Sequence, residues 1–407
     1  MDAMQTQRTL MVTLNGRDRP GVTASLTAAL ADFDVRLLDV EQIVVRGALI
    51  LGLLIGGEHS VLVDVAETAR RVGNELGMNV DVVEGADEDD PRKRGRLAVT
   101  VLGSPLRPGA VSTLTQRIAA EGANIDRITR VASYPVTAIE LEVSGADRDQ
   151  LRRALADQAI TSHVDVAVQL AGLHRRGKHL VVMDVDSTLI QDEVIEVIAR
   201  HAGCEAEVAE ATEAAMNGHI DFSDSLRMRV ALLKGTDAAV LDRVRDEITI
   251  TPGARTLCRT LKRLGYSLAA VSGGFSHVVD PLARELGIDH SRANELEIRE
   301  GRLTGNILGD VVNKQGKAGA LIEFAALDGI PLSRTIAIGD GANDLDMLAT
   351  AGLGVAFNAK QIVRDAADTA VNVPFLDAVL YLLGITREQV EEADEAAGVP
   401  TPAPSIR

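Results

Sequence analysis

The chain has 407 residues, 46% hydrophobic and 25% charged; it is too long for one ordinary core and is balanced like soluble globular proteins, so two or three domains are expected. A formal charge of −17 repels nucleic-acid and lipid phosphates, which argues against a nucleic-acid or membrane partner. Cys204 and Cys258, the only cysteines, are too few for a disulfide framework or a four-ligand zinc site.

No apolar run suited to a signal peptide follows the opening MDAM, and the longest, ALILGLLIGG at 48–57, is about half of the roughly 20 residues a membrane span needs. It reads as a buried strand, and a cytoplasmic location is expected.

Residues 1–170 hold a diverged repeat. LMVTLNGRDRPGVTASLTAAL (10–30) aligns with LAVTVLGSPLRPGAVSTLTQRI (97–118), and Leu26, Leu30, Leu37 and Val40 recur as Leu114, Ile118, Ile125 and Ile128, each 88 residues on. So long a period marks a duplicated small domain, not a stacked array. In the first copy the pattern predicts strand 10–14, helix 21–31, strands 35–45 and 49–55, helix 61–76 and strand 80–83, an antiparallel sheet with helices on one face. ADEDDPRKRG (86–95) runs from acidic to basic with a proline and marks a linker. The domains are then 1–86, the linker 87–95, and 96–172.

The Pro-Gly pairs at Pro20-Gly21 and Pro108-Gly109 lie in the first strand-helix loop of each copy, which makes both copies similar to the ACT domain, an α+β ferredoxin-like module of amino-acid-metabolising enzymes. The resemblance implies an amino-acid effector, serine or another, against the loops 15–21 and 103–109. There N–H groups near Gly21 and Gly109 would receive its carboxylate and Asp18 its ammonium; Pro105 and Leu106 replace that acid in the second copy. It also implies a homodimer or higher homo-oligomer through the ACT-like domains.

From residue 178 the pattern turns to α/β. LVVM (180–183), LAAV (268–271), TIAI (335–338) and LGVAF (353–357) are short and uncharged, as strands of a buried, Rossmann-like parallel sheet should be. About 80 mostly helical residues separate the first two, more than one crossover needs, and predict a helical cap at about 190–250. The domain is expected to span 178–390, and the acidic, then Pro-rich 391–407 to be a disordered tail.

Four motifs follow these strands, where ligands of parallel sheets bind. DVDST brings Asp184 and Asp186; VSGGF brings Ser272 and the Gly273 N–H, suited to phosphate oxygens; NKQGKAGA brings Lys317; GDGANDLDML brings Asp340, Asn343 and Asp344, hard oxygen ligands suited to Mg2+. Each alone reads as readily as a turn, a helix cap or a solvated charge. GDGAND lacks the third glycine of a dinucleotide fingerprint and GKAGA the frame of a P-loop, so neither NAD nor ATP is indicated.

In order and spacing the four motifs resemble the haloacid dehalogenase superfamily over roughly 178–385. DVDSTLIQDEVIEVIA (184–199) and EAAMNGHIDFSDSLRMRVALLKG (213–235) extend the similarity to the phosphoserine phosphatase family, in its long actinobacterial form with paired ACT domains. That resemblance implies phosphoserine hydrolysis, the last step of serine biosynthesis, with Asp184 as nucleophile and Asp186 as general acid and base. Mg2+ would be held by Asp184, the Asp186 main-chain carbonyl and Asp340, with Asp344 acting through water. Ser272, Gly273 and Lys317 would hold the phosphoryl group, Asn343 would act beside the substrate by orienting its neighbours, and Glu193, Arg229, Met216 and Phe222 would hold the serine moiety. Arg227 lies close by, and sequence alone does not choose between it and Arg229. Rival readings are a phosphatase for another small phosphomonoester, disfavoured by these cap residues, and an amino-acid sensor with a vestigial hydrolase, which would have lost one of Asp184, Asp186, Lys317 or Asp340.

Overall fold

The computed structural model describes residues 8–86, 96–172, 175, 177, 179–216 and 221–401, and of 86 and 213–216 only the backbone. It divides into two compact units, Met1–Arg92 and Lys93–Arg407. The expected linker 87–95 lies outside the described residues.

In the first unit β1 (Arg8–Arg17), α1 (Val22–Leu30), β2 (Arg36–Val45), β3 (Ala48–Gly57), α2 (His59–Glu75) and β4 (Asn79–Ala86) follow the predicted order. The antiparallel sheet runs β2-β3-β1-β4, with Leu10 opposite Ile55 on one side and Glu84 on the other. Period-two alternation sends Leu10, Val12, Leu14, Leu49, Leu51, Leu53 and Ile55 inward against Leu26 of α1 and Leu62 and Val65 of α2. Each fully buried side chain of this kind contributes about 1.5–3 kcal/mol. Met11, Ile50 and Val83 stay exposed on the opposite face, and every residue of β2, at the sheet edge, is exposed.

The second unit repeats this with β5 (Leu97–Gly103), α3 (Pro108–Ala120), β6 (Asn124–Ala132), β7 (Thr137–Ser144), α4 (Arg148–Ser162) and β8 (Asp165–Leu170), in the order β6-β7-β5-β8. Here the strand equivalent to β1 is buried on both faces. Leu102, Val131, Ala132, Val136, Ala138 and Ala167 share a core with the domain that follows. Polar ties reinforce that seam: Asn372 donates from its backbone (2.7 Å) and amide (2.6 Å) to Asp165, Arg152 pairs with Asp368 at 2.7 Å, and Arg175 reaches Glu140 and the Leu382 carbonyl, each at 2.8 Å.

That domain starts at β9 (Leu180–Met183). A cap of α5 (Val194–Ala202), α6 (Glu205–Met216), α7 (Phe222–Leu232) and α8 (Val240–Glu247) follows, then α9 (Ala254–Arg263), β10 (Ser267–Phe275) and α10 (Ser276–Leu286). The hairpin β11 (His290–Arg299) and β12 (Arg302–Leu308) leads to α11 (Lys314–Leu327), β13 (Thr335–Gly339), α12 (Leu345–Thr350) and β14 (Leu353–Phe357). The chain closes with α13 (Gln361–Ala366), β15 (Thr369–Val371), α14 (Val379–Leu382) and α15 (Arg387–Ala396). Sheet order is β12-β11-β10-β9-β13-β14-β15; β9 is parallel to β10 and β13, with Val181 opposite both Leu268 and Ile336. The carboxyl ends carrying three of the motifs therefore converge. The cap joins the core through a short stem, where Ile190 bridges Ile250 and Gln191 N–H donates to Thr249 at 2.8 Å.

One element lies outside the predicted set, and one expectation needs correction. The hairpin β11-β12 was not anticipated, because its sequence is charged; it turns on Glu300 and Gly301, both at positive φ, the backbone of a tight hairpin turn. The expected disordered tail from 391 is helical through Ala396. Val390 is buried, Asp394 is completely buried, and its carboxylate accepts from Arg259 and Arg263. Buried ion pairing anchors a segment whose composition alone suggested disorder.

Candidate active site

At the end of β9 the chain makes one tight turn, Val185–Leu189, in which Ser187 is left-handed (φ 56°) and Ile190 N–H closes back on the Val185 carbonyl at 3.0 Å. Asp184 precedes this turn and Asp186 opens it, and both carboxyls line one cavity of about 710 Å³ between core and cap. Asp184 Oδ1 accepts from Val185 N–H at 2.7 Å. Asp186 is held at both oxygens, by Val194 N–H at 2.8 Å and by the Ser272 hydroxyl at 2.9 Å.

Lys317, fully buried in the first turns of α11, is 2.7 Å from Asp184 Oδ1 and 2.7 Å from Asp344 Oδ1. Asp344 spends its other oxygen on the Gly341 N–H at 3.0 Å. Asp184, Asp340 and Asp344 bring one carboxylate oxygen each within 4.8 Å of one another. Three carboxylates against one ammonium leave an excess of negative charge, and hard oxygens so close together fit a hard divalent cation such as Mg2+. Asp344, with both oxygens engaged, suits an outer position.

The electrostatics follow from this crowding. Burial, then repulsion from Asp344, pushes the Asp184 carboxyl well above its ordinary value against the pull of Lys317. Burial raises Asp186 as well, opposed by its two hydrogen bonds. Burial and Asp344 raise Asp340 to about 6. Burial works against the charge of Lys317, but Asp184 and Asp344 outweigh it and hold the ammonium above the usual lysine range.

The Ser272-Gly273-Gly274 segment needs both glycines. A Cβ at Gly273 would meet Phe222 Cζ at 2.9 Å, and one at Gly274 would meet Asp186 Oδ2 and Ser272 Oγ, both at 2.9 Å. The loop thus touches the cap on one side and Asp186 on the other.

From the cap, Glu193, Ile195, Thr212, Asp221, Phe222, Leu226 and Arg229 line the same cavity. Arg229 is buried whereas Arg227 is exposed, a choice that sequence could not make. Among the described residues its guanidinium has long contacts, to the Ser225 carbonyl at 3.4 Å and Thr212 Oγ1 at 3.5 Å. Burial lowers its pKa, offset in part by Glu193 and Glu196. Burial, then Asp186, pushes Glu193 up to about 7 although Ser187 Oγ donates to it at 3.0 Å. A buried cation and an acid of the cap thus line the same cavity as the carboxylate cluster, with Glu193 near enough to Asp186 to be raised by it.

Of the expected residues, Asp184, Asp186, Glu193, Arg229, Gly273, Phe222, Asp340 and Asn343 line this cavity, and Ser272, Lys317 and Asp344 lie directly behind it. The Met216 side chain lies outside the described residues. Asp18, Gly21 and Gly109 belong to the ACT-like folds: Asp18 is exposed, its N–H bound to Gly47, Gly21 (φ 95°) caps α1, and Gly109 opens α3, with space around both glycines. Sequence reasoning missed Thr212 and Asn313 of the cavity wall and Asn294 behind it. Thr212 and Asn294 belong to no motif; Asn313 opens NKQGKAGA, where its place as an Asx residue ahead of a helix could have singled it out.

Residues 181–349 match the family model described as haloacid dehalogenase-like hydrolase, and residues 8–83 and 97–169 each match an ACT domain model. The chain is 57% identical to a phosphoserine phosphatase of Streptomyces coelicolor over 400 residues, 98% of each chain. It is 48% identical to a phosphoserine phosphatase of Mycobacterium tuberculosis over 399 residues, 96% of this chain and 97% of the relative. Among solved structures, a probable phosphoserine phosphatase from Vibrio cholerae in unliganded form superposes with TM-score 0.57 at 34% identity, covering 75% of this chain and 90% of that one. With a hydrolase match and two ACT matches on one chain, and full-length relatives that close, this chain belongs to the phosphoserine phosphatase family of haloacid dehalogenase-like hydrolases.

Proposed function

We propose that the chain hydrolyses O-phospho-L-serine to L-serine and inorganic phosphate through a phosphorylated Asp184. The observation that carries this reading is one cavity lined by Asp184, Asp186 and Asp340 from the core and by Glu193 and Arg229 from the cap. A phosphate bound with a cation and a zwitterionic amino acid need both sets of groups.

In the first step an Asp184 oxygen forms a bond to phosphorus as the bond to the serine oxygen breaks, and Asp186 gives its proton to that oxygen. A free aspartate is ionised at neutral pH, so the raised value of Asp186 suits a donor. In the second step Asp186 takes a proton from water, whose oxygen attacks phosphorus and releases Asp184. Lys317 orients Asp184 from 2.7 Å and opposes its protonation, and with Ser272 and the Gly273 N–H it would meet the phosphoryl oxygens as their charge grows. Asp184, Asp340 and the Asp186 main-chain carbonyl would hold Mg2+, with Asp344 behind them, and the ion would supply neutralisation of phosphoryl charge. Arg229 would take the substrate carboxylate and Glu193 its ammonium, with Phe222 and Met216 at its apolar part and Asn343 at the phosphate.

Such an activity completes serine synthesis in the cytoplasm. The ACT domains are proposed to bind serine or another amino acid near Asp18, Gly21 and Gly109, and to pair chains through the exposed β2 edge. The test is phosphate release from a panel of phosphomonoesters with and without Mg2+. Phosphoserine should lead by at least tenfold in kcat/KM and turnover should vanish without metal; a preference for an ester lacking the amino-acid moiety defeats the reading.

A further inference from the structure

Opposite β11 the pairing of β10 slips: Val271 faces Arg292 and Phe275 faces Asn294, so Ser272, Gly273 and Gly274 together span what Ala293 spans on the partner strand. A bulge of this kind re-aims backbone groups out of the ladder. The Gly274 N–H turns to the Ser272 hydroxyl at 2.7 Å. The Gly273 carbonyl accepts from the side chain of Asn294, Nδ2 at 2.8 Å. The other end of the same carboxamide, Oδ1, accepts from the Val312 N–H at 2.8 Å. Asn294 is 1% exposed, so water does not compete for these bonds.

Val312 immediately precedes Asn313, which caps α11 through Gly316 N–H at 3.0 Å and whose carbonyl accepts the Lys317 N–H at 2.9 Å. The two bonds of Asn294 therefore join the loop that bears Ser272 and Gly273 to the entry of the helix that bears Lys317. A neutral carboxamide is the one short side chain with a donor and an acceptor fixed side by side. Leucine offers neither, and an ionised aspartate sets a carboxylate against the Gly273 carbonyl.

We infer that Asn294 is a positioning residue for phosphoryl transfer, fixing the Ser272-Gly273 phosphate loop and the Lys317 helix at one spacing. The inference rests on the proposed phosphatase reading of the site but not on the identity of the ester. The carboxamide touches neither substrate nor reacting atoms. Its effect is on alignment, where errors near 1 Å cost on the order of 100-fold in rate.

The test compares full-length Asn294→Ala and Asn294→Asp with the parent enzyme, using phosphoserine and p-nitrophenyl phosphate with Mg2+ in excess, well below the unfolding temperature. Rates are expressed per folded molecule, with the folded fraction taken from circular dichroism. Asn294→Ala should lower kcat by about 10- to 100-fold on both esters with KM within about threefold. It should weaken inhibition by orthovanadate, which mimics the transition state, by a similar factor. Asn294→Asp keeps the acceptor for Val312 but sets a carboxylate against the Gly273 carbonyl, and should lose at least as much as Ala. If kcat of both variants stays within twofold, or if the loss is accounted for by unfolded protein, Asn294 is a packing residue and the inference is overturned. Should the parent cleave only the aryl phosphate, the phosphoserine reading fails while the Asn294 comparison proceeds on that ester.

Discussion

Replacing Arg229 with alanine is the sharpest probe of substrate choice. Arg229 is 9% exposed, and among the described residues its contacts at 3.4 and 3.5 Å engage two of its five guanidinium donors. Truncating one partner of a buried charge pair costs about 2–5 kcal/mol. Because the cavity opens to solvent, the lower half of that range applies, and about 2–3 kcal/mol corresponds to roughly 30- to 150-fold in kcat/KM. Removing Arg229 also takes away a cation that faces Glu193, whose carboxyl burial already pushes up to about 7. Glu193 then becomes more protonated at neutral pH and less able to receive an ammonium. The assay measures kcat/KM for phosphoserine and p-nitrophenyl phosphate on Arg229→Ala and Arg229→Lys at pH 7.5. Phosphoserine turnover should fall at least 30-fold, the aryl ester should change less than about threefold, and lysine should restore part of the loss. Equal losses on both esters would assign Arg229 to packing or to phosphate binding and refute the division of the cavity.

Asp184→Asn should abolish turnover and phosphoenzyme formation, read by mass spectrometry of a quenched reaction. Because the folded-state pKa of Asp184 is raised, its ionised form weakens the fold at neutral pH, so without metal the variant should melt no lower than the parent; a fall of several degrees contradicts the electrostatic account. Glu193, at about 7, gains a proton as pH falls through that value and loses its attraction for an ammonium; phosphoserine kcat/KM should therefore drop more steeply below pH 7 than in Glu193→Gln, and matching profiles would remove Glu193 from ammonium binding. Asp394 is held well below the usual carboxylate range by Arg259, Thr401 and Arg263 despite its burial. Its stabilisation is present above the unfolded value near 3.9 and is lost as pH falls toward the folded one, so Asp394→Ala should cost about 1–3 kcal/mol at pH 7 and less near pH 2 by urea unfolding. A chain starting at residue 93 should stay soluble and active, whereas one starting at 171 uncovers the surfaces buried by Leu102, Val131 and Ala138 and should aggregate or lose stability; equal behaviour would deny that the second ACT domain is part of the hydrolase core. Only the shorter deletion is a clean test of serine inhibition through the first ACT domain.

The sequence by itself determined what depends on local pattern. Period-two alternation marked the ACT-like strands, and uncharged runs such as LVVM and TIAI marked strands buried on both faces. The residues directly beyond β9, β10 and β13 were legible as chemistry because a parallel sheet must present them on one edge. Composition misled where long-range pairing overrides it: the charged hairpin β11-β12 is held by its neighbours in the sheet, and the acidic segment at Asp394 by two arginines more than 130 residues away. Tertiary structure alone chose Arg229 over Arg227, since which side of α7 is buried depends on where the cap meets the core. It alone revealed Asn294, whose partners lie 21 and 18 residues distant and whose own neighbourhood carries no motif. It also distinguished two copies of one fold. The sheet of the first keeps an exposed outer face, while in the second β5 is buried on both faces, because Leu102, Val131 and Ala167 find apolar partners in the hydrolase.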